Sequence, residues 1–152
     1  MNLKLKLESF HMEHAGFWKR LVAIIIDTLA LTLFGILFAL FLAFCAHFLG
    51  IAFESKGVEL MLEIFGALLG PLYFILMEAS STQSTLGKLA MGIFVGDANG
   101  NRLTIGRAAL RYFGKILSAL ILGIGFLMAA FTENKQALHD KLANCYVMNK
   151  RA

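Results

Sequence analysis

The chain has 152 residues, 59% of them hydrophobic and 16% charged, with 14 Lys and Arg against 10 Asp and Glu. Its mean hydropathy is +0.73, whereas soluble domains carry roughly 45–50% apolar and about 25% charged residues. A soluble globule is excluded, and the net charge of +4 is read as membrane topology rather than as a nucleic-acid surface.

These figures predict an all-α membrane protein folded as one domain. Residues 1–18 form an N-terminal segment in which His11-Met12-Glu13-His14 is too small a fragment for a metal site. The first predicted span covers 19–49. Its apolar stretch, Leu21 to Leu49, is interrupted only by Asp27, Thr28, Thr32 and His47, and it exceeds the roughly 20 residues that cross a hydrocarbon core. A cleaved signal has an apolar region of roughly 7–15 residues. Phe44 also stands before Cys45 where a lipoprotein signal needs a small residue, so a retained span is expected. Cys45 and Cys145 lie too far apart in sequence to suggest a disulfide framework or a metal spacing.

The second predicted span, 60–78, contains Gly66, Gly70 and Pro71, which suggests a kink, and it ends at Glu78. In residues 79–111, Ile93-Phe94-Val95 and Leu103-Thr104-Ile105 flank Asp97-Ala98-Asn99-Gly100-Asn101, a pattern that predicts a small cytoplasmic β-hairpin. Arg107, Arg111 and Lys115 recur at four-residue steps as one basic stripe of a helix. Contact with anionic headgroups is its expected role, with a substrate, a partner or a buried acid as the alternative.

The third apolar segment, 112–131, has Gly123-Ile124-Gly125 within it, and the tail, 132–152, contains Cys145-Tyr146-Val147-Met148, able to add a strand to the hairpin. Lys4, Lys6, Lys19 and Arg20, with Lys88, Arg102, Arg107 and Arg111, place the N-terminus and 79–111 on the cytoplasmic side. The loop between the first two spans holds Glu54, Lys56 and Glu59. Three full crossings would put the tail outside, yet it carries Lys135, Lys141, Lys150 and Arg151. The third segment is therefore expected to break at Gly123 and Gly125 and to re-enter or lie at the interface, with a full span as the alternative.

Asp27 demands an explanation, because a central Asp costs roughly 2.5–3.5 kcal/mol on insertion and should face protein, a partner or water. Arg20 shares its helix face but sits about 10 Å away along the axis. Asp27 reads as a proton or cation site, or equally as an internal ion pair or cap. His139-Asp140 has no evident nucleophile beside it and reads as a structural contact with the basic stripe. Leu86-Gly87-Lys88-Leu89 lacks the rest of a phosphate loop, and Gly123-Ile124-Gly125 lacks a dinucleotide fingerprint. No enzyme, metal or cofactor is expected.

One order of motifs runs through the chain. Gly16-Phe17-Trp18-Lys19-Arg20 leads to Asp27. Ser84-Thr85-Leu86-Gly87-Lys88, Gly92-Ile93-Phe94-Val95 and Asp97-Ala98-Asn99-Gly100 follow. Gly106-Arg107-Ala108-Ala109-Leu110-Arg111-Tyr112, Gly123-Ile124-Gly125-Phe126 and Gln136-Ala137-Leu138-His139-Asp140 complete it. From about Gly16 to Met148 the chain resembles the RDD family of small bacterial membrane proteins, named for one arginine and two aspartates. The resemblance implies that these positions are Arg20, Asp27 and Asp140, acting in one constellation, with Thr85, Gly87 and Lys88 as motif residues. It also implies transport, with sodium–proton exchange linked to some members.

The expected function is thus a small transporter of the bacterial cytoplasmic membrane, exchanging a monovalent cation or proton at Asp27. Arg20, His139 and Asp140 would assist. About three apolar segments seldom enclose a path alone, so a homo-oligomer in contact with membrane lipid is expected. The alternative is a non-transporting scaffold or accessory subunit of a membrane complex.

Overall fold

A computed structural model of the chain describes residues 13–50, 52, 55–121 and 123–150. Lys4, Lys6, His11, Met12, Glu54 and Arg151 lie outside the described residues, so the readings placed on them have no structural counterpart here.

Helix α1 runs from Phe17 to Phe48 and helix α2 from Lys56 to Ala79. Both are long and apolar enough to cross a membrane. Their Leu, Ile and Phe side chains, among them Leu29, Leu33, Leu40 and Phe44 on α1 and Leu60, Leu68 and Leu76 on α2, are exposed. That outward apolar surface is what a helix presents to lipid. The two helices touch through aromatics, Phe38 stacking on Phe65 with ring centroids 3.7 Å apart. Pro71 lies inside α2, which continues through it as one helix.

Beyond α2 the chain forms a short helix α3 (Leu86–Ala90), strand β1 (Ile93–Gly96) and helix α4 (Ile105–Leu120). Helices α5 (Ile124–Phe131) and α6 (Leu138–Leu142) and strand β2 (Tyr146–Asn149) follow. The sheet is two-stranded and antiparallel, but its second strand differs from the predicted one. β1 pairs with β2 from the tail, Val95 opposite Val147 and Ile93 opposite Asn149. Leu103-Thr104-Ile105 is not a strand, because Thr104 caps α4 by accepting from the Arg107 backbone N–H. The Asp97–Asn101 turn does close, with Asp97 Oδ1 accepting from the backbone N–H of Asn99 and Asn101 at 2.8 and 2.9 Å. It leads to a helix cap instead of a return strand.

The third apolar segment is a bent pair. α4 and α5 meet at 103°, and Gly123 at the break has φ 76°, a left-handed backbone that glycine adopts without steric cost. The bend sends the chain back, and α6 packs against α4. The tail then closes on the start of the first helix: His14 bridges Met148, and the Ala15 N–H donates to the Val147 carbonyl at 2.8 Å. The beginning of α1, the 80–104 segment and the tail therefore share one end of the molecule. The apolar core of that end is built from Ala15, Ala23, Ile93, Val95, Leu103, Ala143, Cys145 and Val147.

Candidate functional site: a buried ionic core at the sheet end

Asp27 lies a little under three turns into α1 and is 1% exposed. Three donors meet its carboxylate. Oδ1 accepts from the Tyr73 hydroxyl and from the Gly87 N–H, each at 2.7 Å, and Oδ2 accepts from the Thr85 hydroxyl at 2.6 Å. All three donors are uncharged.

Gly87 allows this arrangement. A Cβ there would stand 2.0 Å from the Ala23 carbonyl oxygen, so only glycine lets α3 approach α1 closely enough for its N–H to reach the aspartate. Thr85 acts twice, donating to Asp27 and accepting from the Lys88 N–H as the cap of α3.

The other two buried acids carry the ion pairs. Glu78, at the end of α2, receives Lys88 Nζ in a short contact, Arg111 Nη1 at 2.6 Å and Lys115 Nζ at 3.2 Å. Asp140, in α6, is bound by Arg111 Nη2 at 2.8 Å and by Arg20 Nη1 at 2.5 Å. Arg20 also donates to the carbonyls of Ala15 and Lys135, which ties the start of α1 to the tail. Arg111 is thus the hinge between the two acids. One continuous network runs from Arg20 through Asp140, Arg111 and Glu78 to Lys88, whose own helix turn holds Asp27.

Among the described residues, no buried side-chain nitrogen or oxygen lacks a hydrogen-bond partner. That completeness is what makes charges tolerable in a dry interior.

Burial sets the protonation states on the tail side. It is opposed at Asp140 by the guanidiniums of Arg111 and Arg20, which hold that carboxyl well below the usual carboxylate range. Burial, reinforced by Arg111, pulls the His139 imidazole down to about 3, so the ring is neutral at ordinary pH. Burial likewise brings Lys88 down to about 7 against the attraction of Glu78, with Arg111 pushing in the same direction as burial. The Cys145 thiol is raised to about 11, chiefly by burial, and stays protonated.

A cavity of about 500 Å³ lies against this network, with Arg20, Asp27, Lys88, Arg111, Lys115 and His139 on its polar side. Among the described residues, no three His, Cys, Asp or Glu side chains gather as a metal site.

The structure sorts the residues singled out by sequence into two neighbouring subsites. Asp27 stands with Thr85 and Gly87, whereas Arg20, Asp140 and His139 stand with the basic stripe. Arg20 and Asp27 share a helix face without contact. The headgroup reading of the stripe gives way to the buried-acid alternative: Arg111 is 2% exposed, Lys115 reaches Glu78, and Arg107 donates to the carbonyls of Ala143 and Asn144. Desolvated cations need carboxylate or carbonyl acceptors, and two turns of α4 find them inside the protein.

Two participants were passed over in the sequence. Glu78 counted only as the end of the second span, and Tyr73 not at all. The available signal for Glu78 was an acid closing an apolar run just ahead of a cation-rich segment, which calls for a partner. Tyr73 gave no signal beyond its place in the span.

A model described as the RDD family matches residues 14–144 of the chain. Over 148 residues the chain is 35% identical to the uncharacterized protein YxaI of Bacillus subtilis (strain 168), covering 90% of this chain and 97% of that protein. No solved structure matches.

Proposed function

We propose that the chain, which belongs to the RDD family of membrane proteins, is a small transporter whose ion-coupling group is Asp27. The observation that supports this reading is that Asp27 borders the cavity with its charge met only by hydrogen bonds from neutral donors. Every other buried carboxylate in the described core has a cation. A group without a fixed counter-ion can exchange one charge state for another without breaking an ion pair.

Of the two ions considered, the proton fits the donors better. A proton on Oδ2 needs only the Thr85 hydroxyl to turn from donor to acceptor. A sodium ion would confront the Gly87 N–H, which has no oxygen to offer. Exchange of a proton against a monovalent cation then requires that the cation be bound elsewhere on the path, and a homo-oligomer supplies the additional walls. The end that carries Lys19, Arg20, Lys88, Arg102, Lys135 and Lys141 would face the cytoplasm of a bacterium.

A second reading, a non-transporting scaffold, is favoured by the completeness of the ion pairs, since such a network also serves to fix packing. Proton and sodium flux in proteoliposomes separates the two. The transporter reading expects dissipation of a pH gradient by the wild type and its loss in Asp27→Asn at equal reconstitution. A wild type that reconstitutes intact and carries neither ion contradicts it.

A further inference from the structure

The cavity beside the network is amphipathic in a way that ion coupling alone does not require. Its polar side presents four cations, Arg20, Lys88, Arg111 and Lys115, and only one lining carboxylate, Asp27. Counting the acids behind the wall, Glu78 and Asp140, the connected core still holds four cations against three carboxylates. Lys115 and Arg20 are the most accessible of the cations, with 19% and 11% of their side-chain surface exposed. Lys115 Nζ also lies 4.3 Å from the centre of the Phe74 ring.

The rest of the lining is hydrocarbon: Phe17, Leu21 and Ile24, interleaved with Arg20 and Asp27 along one face of α1, together with Phe126 and Leu127 from α5. Ile24, Ile25, Ile124 and Leu127 are themselves exposed on the outer faces of these helices. The apolar wall therefore continues into the surface that meets lipid chains. About 500 Å³ lies within the usual range of small-molecule sites, roughly 300–1,000 Å³, and far exceeds the needs of a bare inorganic anion.

We infer that this cavity binds an anionic amphiphile, its carboxylate or phosphate head on Lys115 and Arg20 and its hydrocarbon chain between α1 and α5. The two most accessible cations, Lys115 and Arg20, supply the attraction for the head, and an arriving anion favours the charged form of Lys88. The chain gains the burial that a free phosphate could not use. This site stands whether or not Asp27 moves a proton. The same chemistry belongs to a free fatty acid and to an acidic phospholipid of the surrounding bilayer.

Native mass spectrometry of the protein in a neutral detergent tests the inference, with laurate and dodecyl phosphate as probes and dodecanol and inorganic phosphate as controls. The wild type should bind both acidic probes at least about tenfold more tightly than dodecanol, and inorganic phosphate should not displace them. Lys115→Gln leaves Glu78 paired with Lys88 and Arg111, so it should fold while weakening binding about tenfold or more. Leu127→Trp, which fills the apolar side without touching a charge, should abolish it. Release of a co-purified phospholipid on adding laurate would support the site with a bilayer lipid as resident. Binding without release would support it with a free acid as ligand. Equal binding of dodecanol, full competition by inorganic phosphate, or undiminished binding in folded Lys115→Gln and Leu127→Trp would each overturn it.

Discussion

His139 shows how the buried core stores a dependence on pH. Its imidazole stays neutral in the fold down to about 3, while in the unfolded chain it takes a proton near 6.5. The unfolded state thus binds more protons across that window. Its contribution to stability is complete above 6.5 and is lost progressively as the pH falls towards 3, at no more than about 1.4 kcal/mol per pH unit. Asp140 acts in the same direction at lower pH. Its carboxyl is depressed by Arg111 and Arg20, so its stabilisation is present above the ordinary value of 3.8 and is lost as the pH falls below it. The Tm of the detergent-solubilised protein, already lowered between 10.5 and about 7 by the depressed Lys88, should therefore fall further as the pH drops below about 6.5. In His139→Gln the decline between about 6.5 and 4 should be shallower, with the lowered His14 imidazole still contributing there, and should steepen nearer 4 as Asp140 titrates. Identical pH profiles for the two proteins would remove His139 from the account.

At the scale of elements, the close approach of α3 to α1 decides whether Asp27 has a pocket at all. Gly87→Ala places a methyl group where the Ala23 carbonyl already sits, so α3 must retreat and the Gly87 N–H and Thr85 hydroxyl lose Asp27 together. Leaving a buried carboxylate short of donors costs on the order of 1–3 kcal/mol per lost bond. Gly87→Ala should lower the Tm sharply, whereas Gly92→Ala, with nothing near its added methyl group, should cost only the roughly 1–2 kcal/mol of a left-handed backbone. Thermal unfolding of the two variants side by side checks this ranking. The two spans were legible because two helices of 32 and 24 mostly apolar residues need no tertiary context. The tail strand was legible as β-prone residues able to join the hairpin, and it pairs with the Ile93–Val95 run of that predicted hairpin; what was not legible is that 103–105 gives up its own place in the sheet. Leu103-Thr104-Ile105 has strand propensity, and only the Thr104 cap, seen once α4 is known to begin at Ile105, shows why it turns into a helix. The acid partners of Arg111 were hidden for a related reason. Periodicity gives the face of a helix but not what packs against it, so a basic stripe reads as lipid-facing until Glu78 and Asp140 are brought to it by other elements.

For the whole molecule, the bend between α4 and α5 carries a topological consequence. Because the tail returns to pair with β1 and residue His14, the beginning of α1, the Asp97–Asn101 turn and α6 share one end of the molecule; the proposed arrangement puts that end on one side of a membrane and the α1–α2 connection on the other. Single cysteines test this on a Cys45→Ser background, where the remaining Cys145 is buried and its thiol held protonated. Asn99→Cys and Lys141→Cys should react with an impermeant maleimide from the same side, and His47→Cys from the opposite side. Labelling of Lys141→Cys from the side of His47→Cys would mean that the third segment crosses fully. The break expected from the conflict between charge counting and span counting is present in that bend, and Gly123 was the visible sign of it.

The central claim is a division of labour inside one buried core: Asp27 exchanges its proton, while Asp140, clamped by Arg20 and Arg111, holds the tail in place. The most direct measurement compares pH-gradient dissipation by proteoliposomes with the fraction of assembled protein for the wild type, Asp27→Asn and Asp140→Asn. Asp27→Asn should assemble normally and dissipate no gradient. Asp140→Asn, which takes from Arg20 its carboxylate and from the buried Arg111 one of its two acids, at a cost of up to about 3–5 kcal/mol, should fail mainly in assembly, with whatever assembles still active. An Asp27→Asn protein that conducts as well as the wild type, or an Asp140→Asn protein that assembles fully and is inactive, would contradict the account.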